Sequence, residues 1–130
     1  MKNATILIGL PGSGKTFWIE NNKNKFDYIF DDFSRQEDFL KKLPSLSGSI
    51  CLSDPTLCKS SNIEKLENAL NNGGWEYCKI YWENNPEAAL ANVVARDDGR
   101  QISRRWIFDM SKQYNPPSGS LQIWNRNLAI

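Results

Sequence analysis

The chain of 130 residues has no histidine and three cysteines. Without histidine, a general base at neutral pH must be drawn from Asp, Glu, Lys, Tyr or Cys. Cys51, Cys58 and Cys78 have neither an even count nor metal-ligand spacing, which argues against a disulfide framework or a zinc site. Cys51 and Cys78 fall within apolar strand candidates, where a thiol is expected to act as a small buried hydrophobe. Charge of one sign is also lacking: 16 Lys and Arg stand against 15 Asp and Glu, a net charge of +1, so no global field selects nucleic acid or an anionic membrane. The longest apolar run lies around residues 4–10, far short of a bilayer span, and the N-terminus lacks the apolar region and cleavage site of a signal peptide. These features give the expectation of a cytoplasmic protein with no membrane partner, forming a single domain over 1–130 with little room for a separate substrate domain.

What the chain does have is Gly9-Leu10-Pro11-Gly12-Ser13-Gly14-Lys15-Thr16, which satisfies G-x-x-x-x-G-K-[ST] at every specified position. Ala4 to Ile8 before it is a short β-branched apolar run suited to a buried strand, and Phe17-Trp18-Ile19-Glu20 after it continues as a helix. Glycines let backbone N–H groups turn inward to form an anion nest, and the helix N-terminus adds unpaired donors and a positive dipole end. The pattern predicts that Gly9, Pro11, Gly12, Ser13, Gly14, Lys15, Thr16 and Phe17 form the ATP site. Lys15 would reach the β/γ-phosphates, and Thr16 would ligate Mg²⁺.

Further along, Phe26 to Phe30 reads as a second strand that delivers Asp31-Asp32 at its C-terminal end, the edge of a parallel sheet where ligands sit. A short helix is expected from about Gln36 to Leu43, stopped by Pro44. Ile50-Cys51-Leu52 forms a third strand ending in Ser53-Asp54-Pro55. Asn62 is placed to cap a helix with Ile63, Leu66, Ala69 and Leu70 inward, ended by Gly73-Gly74. Trp75 to Trp82 is a fourth strand, and Pro86 opens a helix with Ala89, Leu90, Val93 and Val94 inward. A last helix places Trp106, Ile107, Met110 and Tyr114 on one face and ends before Asn115-Pro116-Pro117. Leu121 to Trp124 reads either as a closing strand or as an irregular packed segment. Strands alternating with helices predict an α/β fold: a P-loop NTPase three-layer α/β/α sandwich around a mostly parallel sheet of four to five strands.

Three further groups bear on chemistry. A carboxylate at the end of the strand beside the phosphate loop can accept a proton from an attacking hydroxyl, and alternation along an extended segment brings only one of Asp31 and Asp32 to that side. The alternative is that both serve as turn or capping residues. Asp54, held extended by Pro55, stands where a metal-organising aspartate belongs, although Ser-Asp-Pro is also ordinary turn chemistry. Arg96, Arg100 and Arg104 recur at intervals of four around Asp97-Asp98-Gly99, which reads as an arginine-bearing lid near 96–105 that closes on the γ-phosphate, or as a solvated charged linker. The chain has five tryptophans; Trp82 and Trp106 are expected in the core.

The loop Gly9–Thr16, the strand end Phe30-Asp31-Asp32, the strand end Leu52-Ser53-Asp54 and the Arg96-x-x-x-Arg100 segment resemble, in order, the kinase domain of phage-type polynucleotide 5′-kinases. They are also similar to the wider group of small phosphate-loop kinases that includes zeta-toxin-like and gluconate-kinase-like enzymes. The resemblance implies that Asp31 is the general base, that Lys15 and Thr16 bind the triphosphate and Mg²⁺, and that Arg96 and Arg100 contact the donor phosphates. Ser34 stands where those kinases carry an arginine, with Arg35 next, and the helical insertion of the acceptor side is nearly absent between Leu43 and Gly48. The expected function is ATP-dependent transfer of the γ-phosphoryl group to a hydroxyl acceptor, a polynucleotide 5′-end or a nucleotide-like molecule. The alternative is a P-loop nucleotide-binding regulatory module with little or no kinase activity.

Overall fold

The computed structural model describes residues 1–36, 38–96 and 104–123. Four strands, β1 (Lys2–Ile8), β2 (Tyr28–Asp31), β3 (Gly48–Ser53) and β4 (Glu76–Tyr81), form one sheet in the order β2-β3-β1-β4 with every pairing parallel. The helices are α1 (Lys15–Asn22), α2 (Phe39–Lys42), α3 (Ser60–Asn72), α4 (Pro86–Arg96) and α5 (Arg104–Gln113). This is the expected α/β architecture, with four strands.

Side chains alternate along the strands, and the inner strands β1 and β3 are buried on both faces, while the edge strands β2 and β4 are partly exposed. Ile6, Ile8, Ile50 and Leu52 join Leu57, Leu66, Leu70, Val93 and Ile107 in the larger core. Leu7 and Cys51 point to the opposite face and pack with Ile19 of α1 and Trp82. Crossing two places to form β2 leaves β1 central, so the loop that follows it opens at the middle of the sheet's C-terminal edge.

Several local expectations are corrected. The helix anticipated across 36–43 shrinks to the four residues of α2, because Asp38 takes a left-handed conformation (φ 58°) immediately before it, and a 3₁₀ turn over Leu43–Ser45 follows. Asn62 does not cap α3, which begins at Ser60; its Nδ2 donates instead to the Thr56 carbonyl (2.8 Å). Val94 is 72% exposed, on the side of α4 away from Ala89 and Val93. Trp106 is exposed while Trp82 is buried, so core packing accounts for one of the two. Cys78 is exposed, because it lies on edge strand β4, while Cys51 on inner strand β3 is buried as expected. In the tail, Leu121 makes a single parallel bridge to Trp82; Trp124 lies outside the described residues.

Candidate active site

The C-terminal edge of the sheet gathers the sequence-predicted residues from three strands. The loop leaves β1 at Ile8 and enters α1 at Lys15, with Gly12 (φ 85°) and Gly14 (φ 110°) in the left-handed region that glycine adopts without a Cβ penalty. Ser13 N–H closes the turn on the Leu10 carbonyl (3.1 Å). Close packing restricts the loop further. A Cβ on Gly9 would stand 2.6 Å from Ser13 Oγ, and one on Gly12 would stand 2.2 Å from the Ala89 carbonyl oxygen of α4.

Lys15 is buried, and its ammonium donates to the carbonyls of Gly9 and Leu10, the second at 3.1 Å. Burial lowers its pKa from the ordinary lysine value, against the opposing pull of Cys58, Asp31, Asp32 and Asp54. The cation is thus desolvated and curled onto its own loop, with no ion pair among the described residues. Thr16, in the first turn of α1, is exposed. Ser13 Oγ and Ser53 Oγ are buried without a hydrogen-bond partner among the described residues. An orphaned hydroxyl inside the loop fits a site whose remaining acceptors arrive with a ligand.

Asp31 is the last residue of β2, opposite Ser53, and is exposed. Asp32 follows in a left-handed turn: its φ of 53° ends the strand, and its N–H donates to the Ser53 carbonyl (2.8 Å). The two aspartates thus divide, one at the strand end and one in the turn. Asp54 is fully buried. Its Oδ1 accepts from Thr56 N–H (2.8 Å) and Thr56 Oγ1 (2.5 Å), and its Oδ2 accepts from Ser34 N–H (2.7 Å). It ties the segment after β2 to the turn after β3, and it faces the protein interior rather than open solvent. Ser34 therefore contributes a backbone donor to this tie. Arg96 ends α4, while Arg100 and the segment 97–103 lie outside the described residues.

Two further residues brace the loop, and neither was singled out in the sequence for this role. Asn92 of α4, 4% exposed, donates from Nδ2 to the Gly12 carbonyl (2.9 Å). The Tyr114 hydroxyl contacts the carbonyls of Ile8 (3.0 Å) and Trp82, tying the end of α5 to the point where β1 becomes the loop. A buried asparagine between Ala89 and Val93 on an otherwise apolar face was the available signal for the first. For Tyr114 the sequence offered only the stripe.

A central parallel strand, a glycine-rich loop and a buried lysine at the start of the next helix define a P-loop kinase-like fold. The crystal structure of a gluconokinase from Sinorhizobium meliloti 1021 is similar over 92% of this chain and 81% of that one, with a TM-score of 0.62 at 15% identity. The chain belongs to the same family as "Uncharacterized protein R277" of Acanthamoeba polyphaga mimivirus, to which it is 31% identical over 116 residues, covering 85% of this chain and 84% of that protein. No protein-family model matches it. Among the described residues no helix is long and apolar enough to cross a membrane.

Proposed function

We propose that this protein is an ATP-dependent phosphotransferase that passes the γ-phosphoryl group to a hydroxyl acceptor. The observation that carries the reading is Lys15: a buried ammonium held over carbonyls of its own glycine loop, with Asp31 exposed at the end of β2. Glycine-loop N–H groups and the N-terminus of α1 hold the phosphates, and Lys15 swings from Gly9 and Leu10 to the β/γ-oxygens. Asp31 accepts the acceptor hydroxyl's proton as the oxygen attacks phosphorus and the bond to ADP breaks. Thr16, exposed in the first turn of α1, carries the hydroxyl that would hold Mg²⁺, an ion that takes one or two protein oxygens beside substrate phosphate and water. When bound, Mg²⁺ neutralises the developing phosphate charge. Asp54, assigned to the metal from the sequence, we instead give a positioning role, since N–H and O–H donors occupy both its oxygens. Arg96 and Arg100 are proposed to stabilise the transferring group, and the cytoplasm is the proposed location.

The acceptor class is carried over from the resemblance to polynucleotide 5′-kinases, since the likeness to a gluconokinase is one of fold alone. We favour a polynucleotide 5′-end or a nucleotide-like molecule over a sugar acid. Labelled γ-phosphate transfer from MgATP to 5′-hydroxyl oligonucleotides, nucleosides, nucleotides and sugars, run beside Lys15→Met, tests it. Lys15-dependent label on a nucleic acid end or nucleotide supports the reading, and label on a sugar alone moves the acceptor to the metabolite branch. The short stretch between β2 and β3, where among the described residues only the four of α2 form α-helix, favours one second reading. Binding of ATP with no labelled product would make the protein a nucleotide-binding regulatory module.

A further inference from the structure

Asn92 is a polar side chain set into the packed face of α4, flanked on that face by buried Ala89 and Val93. Its Nδ2 donates to the carbonyl of Gly12 at 2.9 Å. The N–H on the other edge of the same peptide, that of Ser13, donates to the Leu10 carbonyl at 3.1 Å. Because a trans peptide is planar, with its C=O and N–H directed oppositely, these two bonds fix the orientation of the Gly12–Ser13 plane from both sides. Contact reinforces the hydrogen bond. Space for a Cβ on Gly12 is closed by the Ala89 carbonyl at 2.2 Å and Val93 Cγ2 at 2.8 Å, so the tip of the loop is seated directly on α4.

We propose that Asn92 is a positioning residue for nucleotide binding: by holding the Gly12 carbonyl it aims the loop's remaining N–H groups at the phosphates and makes α4 responsive to nucleotide occupancy. The inference rests on the reading of Gly9–Thr16 as the nucleotide site. The amide is suited to this task because it offers a neutral donor to a carbonyl without bringing negative charge to a phosphate site. A carboxylate of the same shape would present only acceptors to Gly12 and would repel the ligand as well.

The test is hydrogen exchange of α4 amides with and without MgATP, together with MgATP affinity, in the wild-type chain, Asn92→Ala, Asn92→Asp and Val94→Ala as the surface control on the same helix. In the wild type and Val94→Ala, MgATP slows exchange in α4. In Asn92→Ala affinity falls by up to about tenfold, in keeping with one lost hydrogen bond, and the α4 protection is lost. Asn92→Asp loses more. If the alanine variant fails to fold, the isosteric Asp variant carries the measurement. Wild-type affinity together with retained α4 protection in the folded variants overturns the inference and leaves the functional reading standing. Failure of the wild type itself to bind MgATP overturns both.

Discussion

The hydroxyl of Tyr114 lies 3.0 Å from the carbonyl oxygen of Ile8, joining the end of the last described helix to the last residue of β1 before the phosphate loop. Its single proton is shared between that oxygen and the Trp82 carbonyl just past the end of β4, so one phenol bridges two strand ends. Tyr114→Phe keeps the ring and removes this tie. The expected loss is about 1–2 kcal/mol of unfolding free energy, since buried carbonyls lose a partner, measured by urea denaturation. A loss indistinguishable from zero would mean that the bond contributes nothing beyond packing.

Gly12 and Gly74 are both left-handed, with φ of 85° and 77°, but only Gly12 is crowded, with the Ala89 carbonyl where a Cβ would go. Gly74→Ala should therefore cost about 1–2 kcal/mol, the conformational term alone. Gly12→Ala adds overpacking and should cost about 3 kcal/mol or more. Denaturation midpoints of the pair isolate the contact with α4, and equal losses would contradict it.

Asp54→Asn replaces one acceptor oxygen by a donor facing an N–H group at either Thr56 or Ser34. The expected result is a loss of about 2–3 kcal/mol with reduced turnover and an unchanged Mg²⁺ concentration for half-maximal activity. A fully stable variant with a raised Mg²⁺ requirement would return Asp54 to the metal.

The pH dependence of stability carries opposing signs. Burial raises the thiol pKa of Cys58 to about 11 and that of Cys51 to about 12, from an ordinary 9.0. Burial likewise raises that of Tyr114. In each case the unfolded chain loses its proton first, so the contribution is complete below the unfolded value, 9.0 for the thiols and 10.0 for the phenol, and is lost as pH rises from there through the folded values. Lys15 acts oppositely: burial lowers its pKa below 10.5, the unfolded state binds more protons between the two values, and stability rises with pH across that window. Two thiols outweigh one ammonium, so stability should decline above pH 9, and the decline to 10.5 should be steeper in Lys15→Met. Thermal melts across this range check both signs. At pH 7 the same variant should unfold within about 1 kcal/mol of wild type, since it sheds both a desolvation cost and two carbonyl contacts.

The fold and the placement of the glycine loop in the candidate site were legible because their signals are local. A complete loop motif, β-branched runs at regular intervals and an aspartate at each of two strand ends need no tertiary information. Features that depend on which face meets a neighbour were not legible. Val94 and Trp106 sit one position from buried neighbours, and helical periodicity does not resolve a stripe's edge. Cys78 is exposed because β4 lies at the edge of the sheet, a fact of strand order. Asn92 and Tyr114 act on backbone carbonyls 80 and 106 residues away, which carry no side-chain signature.

The most direct test of phosphotransfer by Asp31 is turnover of labelled ATP by Asp31→Asn beside its MgATP dissociation constant, using whichever acceptor the panel identifies. The prediction is a dissociation constant within about twofold of wild type and a rate lower by about 10²–10⁴, the usual contribution of a positioned general base. Turnover equal to wild type would contradict the assignment of Asp31 as the base.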